Sequence, residues 1–226
     1  FANTDIVLID GLNETHLLRA GAIIDGLATG GPLFSVGSSG IESALVAHWQ
    51  AVGPVSDRPK GQSKTGPTSP TLILSGSCSP VTAGQIDQAL ANGFAGVALD
   101  PTGGGNPAAI AAALRSGHPV IAYTSRGQAS GTVPADQLGT MLGQLARAVI
   151  AQSPIKRLIV AGGDTSSYAA RALGIESLEM LAPLAPGAPL CRATAPGSPV
   201  DGLEVNFKGG QVGAPDYFLN ATRSSL

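Results

Sequence analysis

The sequence predicts an α/β protein with a doubly wound, mostly parallel sheet and helices on both faces. Three observations predict it. Strand-like apolar runs alternate with helical segments along most of the chain, and Pro and Gly punctuate the helix ends. In addition, a strand-like run stops at a loop of small residues and restarts as a helix at Leu33 to Gly40, Leu72 to Thr82 and Leu158 to Ser167. Such alternation implies right-handed crossovers and a sheet covered on both sides. A loop of Gly, Ser and Thr ahead of a helix exposes backbone N–H groups at the positive end of the helix dipole, which suits an anion such as phosphate.

Taken in order, residues 5–9 read as a buried strand, and Asn13 to Leu27 as a helix with Asn13 as N-cap. Leu33 to Val36 reads as a strand, Gly37 to Gly40 as a loop, and Ile41 to Trp49 as a helix. From Val52 to Pro70 the chain turns to Pro, Gly, Ser, Lys and Thr with almost no apolar residue, the composition of an exposed linker. The expected organisation is therefore a short α/β segment of one domain over 1–52, a linker over 53–70, and a second domain over 71–226.

In the second domain the alternation is regular. Strands are predicted at Thr71 to Leu74, Gly96 to Leu99, Val120 to Tyr123 and Leu158 to Val160. Helices are predicted at Pro80 to Asn92, Asn106 to Ser116, Ala135 to Gln152 and Thr165 to Leu173. Ser79 and Asn106 stand where N-caps belong, Pro80 and Pro107 at first helical positions, and Gly93, Gly117 and Gly174 just past helix ends. Beyond Gly174 the pattern loosens. Pro183, Pro186 and Pro189 forbid a continuous helix, Leu203 to Phe207 reads as a strand, and Pro215 to Thr222 as a terminal helix. In a Rossmann-like sheet of this kind ligands bind at the carboxyl ends of strands, where the loops after Leu74 and Val160 lie.

Composition excludes several classes of function. Of the 226 residues 43% are hydrophobic and only 12% charged, with 31 Gly and 17 Pro, so the surface relies on small and weakly polar groups. The net charge is −2, with no Lys/Arg cluster and scattered aromatics, which argues against a nucleic-acid binder. No apolar stretch approaches the roughly 18 residues needed to span a bilayer. Nor does the segment after Phe1 show a basic region followed by an apolar signal core, so a soluble, cytoplasmic protein is expected. Cys78 and Cys191 lack partners at metal-ligand spacing, and His16, His48 and His118 are isolated, so no metal site is expected from these residues.

Three segments carry chemistry. In Ser75-Gly76-Ser77-Cys78-Ser79-Pro80-Val81-Thr82, Gly76 allows a sharp turn, while Ser77, Ser79 and Thr82 offer hydroxyls that either bind phosphate oxygens or cap the helix. In Ala161-Gly162-Gly163-Asp164-Thr165-Ser166, two glycines permit close approach of a ligand, and a carboxylate stands beside the would-be phosphate. Capping by Asp164 or Thr165 is the competing reading there. Lys208, followed by Gly209, Gly210 and Gly213, sets a cation at a glycine loop; a solvated lysine beside a turn is the competitor. Three such elements together favour a nucleotide.

The ordered motifs G-S-C-S-P-V-T-x-x-Q (Gly76 to Gln85), G-G-D-T-S (Gly162 to Ser166), P-G-x-P-L (Pro186 to Leu190) and K-x-G-x-x-G (Lys208 to Gly213) resemble the C-terminal nucleotide-binding domain of the four-carbon acid sugar kinases. Members of that family phosphorylate threonate, erythronate or oxo-tetronate with ATP, and residues 5–47 resemble the tail of their substrate domain. The resemblance implies ATP with Mg²⁺, held by Ser77, Ser79, Gly162, Gly163, Asp164, Thr165, Gly210 and Gly213. Asp164 and Lys208 are the implied catalytic residues, and the other substrate is a small sugar acid. Gly209 and Val212 depart from the family's usual Ser and Phe, and the family's D-D-x-T-G-A-like opening motif is absent from the chain. The expectation is that the N-terminal substrate domain is a separate partner or was removed, and that this polypeptide alone binds nucleotide and catalyses little. Small residues on helices such as Pro107 to Leu114 are compatible with packing inside a monomer or across a homodimer. Two other readings stay open: a non-enzymatic nucleotide or anion-binding module, and a phosphosugar isomerase-like protein.

Overall fold

The computed structural model describes residues 7–29, 33–36, 40–52, 70–126 and 133–223. The chain divides into two compact units, Phe1–Lys60 and Gly61–Leu226. No helix among the described residues is long and apolar enough to cross a membrane.

In the first unit the described residues form two helices that pack together, α1 (Glu14–Ala28) and α2 (Gly40–Val52). Asn13 caps α1, its side chain accepting from the His16 amide at 3.0 Å. Trp49 on α2 donates from Nε1 to Asp25 Oδ1 on α1 at 2.8 Å. The strands expected over 5–9 and 33–36 need correction. Residues 7–9 and 33–36 adopt no strand, and residues 5 and 6 lie outside the described residues. A strand is held by a hydrogen-bonded neighbour, and the described residues of this unit contribute none to a sheet. Leu8, Phe34 and Val36 are consequently exposed. The expected loop at 37–39 and linker residues 53–69 also lie outside the described residues.

The second unit is built on a sheet of seven strands: β1 (Thr71–Ser75), β2 (Ala95–Ala98), β3 (Val120–Tyr123), β4 (Arg157–Ala161), β5 (Ser177–Ala185), β6 (Ala188–Thr194) and β7 (Glu204–Lys208). Their spatial order is β2-β3-β1-β4-β7-β6-β5; pairing is parallel from β2 to β7 and antiparallel from β7 to β5. The helices are α3 (Pro80–Ala91), α4 (Pro107–Arg115), α5 (Ala135–Gln152), α6 (Gly163–Ala172) and α7 (Tyr217–Arg223).

β1 and β4 are buried along their whole length, as their unbroken apolar runs require of strands covered on both sides. Side chains alternate between two cores. Leu72, Leu74, Leu158 and Val160 join Ile110, Leu142 and Leu173 from α4, α5 and just past α6, whereas Ile73 and Ile159 join Ile86 from α3 and Phe218 from α7. The path explains the two layers. From β1 the chain moves outward to β2 and then returns through β3 to β4, so right-handed crossovers send α3 to one face and α4 and α5 to the other. α5 and α6 lie close because Gly139 and Gly143 remove the side chains between them: a Cβ on Gly139 would come within 2.6 Å of Thr165 O.

The hairpin of β5 and β6 was not expected from sequence, where the prolines only excluded a helix. Pro183 sits on the outermost strand beside register irregularities, and Pro189 lies just beyond the residues of β6 that pair with β7. Pro186 and Gly187, the latter at φ +74°, form the tight turn between the paired Ala185 and Ala188.

Candidate functional site

β1 and β4 are neighbours, yet the chain leaves β1 toward one edge of the sheet and β4 toward the other. Such a switch point opens a crevice at the carboxyl ends of the strands. The serine loop after β1 and the Gly162 loop after β4 meet there, with the glycine loop after β7 alongside. Backbone bonds join the three loops: the Gly76 amide donates to Ala161 O, and the Gly162 amide to Lys208 O, each at 3.0 Å.

The serine loop is internally braced. Ser77 Oγ accepts from the Ser79 amide, and Ser79 Oγ accepts from the Val81 amide, both at 3.2 Å. Ser79 therefore caps α3, one of the two roles open to it. Ser77 is buried where the loops converge. A Cβ on Gly210 would lie 2.6 Å from Ser77 Oγ, so a side chain there would push the glycine loop off the serine loop. Gly162, at φ +137°, lies within 3.4 Å of the Ser77 amide measured from its own absent Cβ, and within 3.2 Å of Thr165 Cβ. Ser77, Gly162, Thr165 and Gly210 thus form one cluster.

At α6 neither Asp164 nor Thr165 caps the helix: the N-cap is Gly162, and among the described residues no side chain accepts from the first turn. The positive end of a helix of 10 residues is left facing the crevice, with Gly163 and Asp164 exposed on it. That is a fit for phosphate oxygens. Asp164 is a single carboxylate in its first turn; no group of three or more His, Cys, Asp or Glu side chains suited to a metal occurs among the described residues.

Lys208 is not the solvated lysine that a turn would suggest. It is 1% exposed, and its Nζ donates to Thr82 Oγ1 at 3.0 Å and to Gly209 O at 3.1 Å. The ammonium also stands 5.6 Å from the ring centres of both Tyr217 and Phe218. It makes no ion pair among the described residues, and burial lowers its pKa to about 8.

Two residues of the α3 motif act differently from the sequence reading: Thr82, read as a phosphate-binding or capping hydroxyl, turns to the glycine loop instead, and Gln85 had been given no site role. Thr82 Oγ1 donates to Gly210 O at 2.7 Å, and Gln85 Nε2 reaches Val212 O, Gly213 O and Ala214 O at 3.0 to 3.1 Å. Their spacing of three on one helix was the available signal, because it puts both polar side chains on the same buried face. A cavity of about 320 Å³ borders the far side of the glycine loop, between the β5–β6 turn and α7, and is lined by Leu184, Pro186, Gly213, Asp216 and Tyr217 among others. A second cavity of about 450 Å³ lies around Pro70, Lys156 and Glu204, at the amino ends of the strands and away from these loops.

Known proteins resemble this chain in sequence and in fold. A family model for a nucleotide-binding C-terminal domain matches residues 72–218. The chain is 36% identical over 240 residues to a 3-oxo-isoapionate kinase of Paraburkholderia graminis, covering 94% of this chain and 51% of that protein. It is 28% identical over 232 residues to a 3-oxo-tetronate kinase of Cupriavidus necator, covering 96% and 51% respectively. Among solved structures, a DUF1537 domain from Bordetella bronchiseptica, a domain-swapped dimer with bound citrate, superposes with a TM-score of 0.58 at 21% identity over 95% of this chain and 51% of that one. The chain thus spans about half the length of the relatives it matches. All four ordered motifs fall inside the matched residues, and the chain belongs to the family of nucleotide-binding C-terminal domains.

Proposed function

We propose that this chain supplies the ATP-binding part of a kinase that phosphorylates a small sugar acid of the four-carbon, oxo-tetronate type. The observation that carries the reading is the convergence of Ser77, Gly162, Thr165 and Gly210 at the ends of three adjacent strands, beside a helix N-terminus that no side chain caps. The names of the relatives support the reaction class. In this reading the amides of Gly163, Asp164 and Thr165 hold phosphate oxygens, while the Gly162 amide, already bound to Lys208 O, fixes the loop beneath them, with Ser77, Ser79, Gly210 and Gly213 closing the opposite side. Lys208 adds positive charge from beneath the glycine loop, and the nucleoside end extends toward the cavity beside Leu184 and Gly213. Asp164 is the residue we assign to Mg²⁺, which when bound offsets charge on the phosphates.

Residues 1–52 are proposed as part of the substrate domain and 71–226 as the nucleotide-binding domain. The sugar-acid contacts and the base that takes the hydroxyl proton are assigned to the half of the relatives' length that this chain does not span. The dimeric Bordetella relative supports a homodimer as the assembly.

Calorimetry with ATP and Mg²⁺ tests the reading. Binding is expected for the 226-residue chain, together with a large loss in the double variant Asp164→Ala, Lys208→Ala. No binding by the parent chain, or undiminished binding by the variant, would sink it. Adding the complementary half of a relative separates a kinase from a mere nucleotide-binding module, because only the kinase then releases ADP in response to sugar acid.

A further inference from the structure

The carbonyl groups of the glycine loop are nearly all turned toward α3. Gly209 O accepts from Lys208 Nζ, Gly210 O from Thr82 Oγ1, and Val212 O, Gly213 O and Ala214 O from Gln85 Nε2. In a trans peptide the carbonyl of one residue and the amide of the next point in opposite directions. Drawing these carbonyls inward therefore turns the amides of Gly210, Gln211, Gly213 and Ala214 away from α3. Among the described residues none of those four amides makes a hydrogen bond.

We infer that Thr82 and Gln85 are positioning residues that polarise the glycine loop, holding its carbonyls inward so that its outward amides form a binding nest for the phosphate chain of a nucleotide. The inference deepens the proposed ATP site and rests on it. A second observation supports it. Gln85 is 1% exposed, and its Oε1 is buried with no hydrogen-bond partner. An unpaired buried acceptor lowers stability, so a glutamine at this position is poor core packing. What the glutamine does provide is an amide that reaches three carbonyls in succession, on a loop 127 to 129 residues away in sequence. Thr82 completes the arrangement by accepting from Lys208 while donating to Gly210, so the cation, the hydroxyl and the amide form a row of donors under the loop.

The test combines hydrogen exchange with binding of two probes, Mg-ATP and inorganic triphosphate. Gln85→Leu removes the unpaired oxygen together with the amide that reaches the loop, so a purely structural glutamine predicts a shifted melting temperature with the affinity of the folded protein for both probes unchanged. The positioning role predicts instead that the Val212 amide, which is bonded within the loop to Gly209 O, exchanges at least about tenfold faster in the free protein, while the amides of β1 and β4 keep their protection. It further predicts that both probes bind at least about tenfold more weakly, a difference well above experimental error. Thr82→Val is expected to act in the same direction, and Thr82→Ser, which keeps the hydroxyl, to restore binding. Should Gln85→Leu fail to fold, Gln85→Asn carries the same expectations, since it keeps an amide but is too short to reach the three carbonyls. Unchanged loop exchange, parental affinity in Gln85→Leu, or affinity loss that only follows global unfolding would overturn the inference. Parent protein that binds triphosphate but not ATP would instead overturn the nucleotide reading and leave the nest standing.

Discussion

Lys208 shows what burial does to one side chain. In the unfolded chain its amine titrates near the ordinary 10.5 of a lysine, and burial brings it to about 8 in the folded protein. Between those values the unfolded state holds the additional proton, so stability rises with pH across that window. Anion binding changes in the opposite sense, because the positive charge beneath the glycine loop is lost as pH climbs through about 8. Tyr217, the titratable ring facing it, has its own pKa raised to about 12 by burial and stays neutral throughout. Urea unfolding and ATP titrations across this range are expected to give slopes of opposite sign, and Lys208→Met to flatten both. Ser77, Gly162 and Thr165 could be marked as loop candidates from the sequence alone, with helix capping as the competing use of small residues there. Thr82 was marked there only as a phosphate-binding or capping hydroxyl, and Gln85 was given no role, because the carbonyls they bind lie up to 129 residues away.

Most elements follow from local rules. The N-caps Ser79 and Asn106 and the prolines behind them begin α3 and α4 where expected, and α5 spans Ala135 to Gln152 as its apolar spacing predicts. The β5–β6 hairpin escaped because its prolines read as breakers, although Pro186-Gly187 is also a turn signal. Outer strands tolerate proline, a fact about position in the sheet that no local window contains. The hairpin turn forms one wall of the cavity beside the glycine loop. Leu184→Trp, which fills that cavity, is expected to weaken ATP binding by about tenfold or more while sparing inorganic triphosphate, as a site for the nucleoside end requires. Equal loss for both ligands would move the nucleoside elsewhere.

Across the whole second unit, the sheet is tied at the ends opposite the loops. Arg157 on β4 donates from Nε to Glu204 Oε2 on β7 at 2.8 Å, and from another guanidinium nitrogen to Ala221 O on α7. Both side chains are buried, so Glu204→Gln removes a buried anionic partner of the guanidinium, at a cost of about 3–5 kcal/mol. The expected result is a clear drop in the urea midpoint with the loop site still formed in the folded fraction; an unchanged midpoint would show the pair to be dispensable. By itself the sequence determined the alternation of strand and helix, the capped helix starts and the small-residue loops, because each depends on neighbours within a turn or two. Only the tertiary structure decided that the loops after β1, β4 and β7 converge, that Lys208 lies buried beneath them, and that α3 grips the glycine loop. Those relations depend on strand order, which is settled by burying two faces of one sheet with right-handed crossovers between segments far apart in the chain.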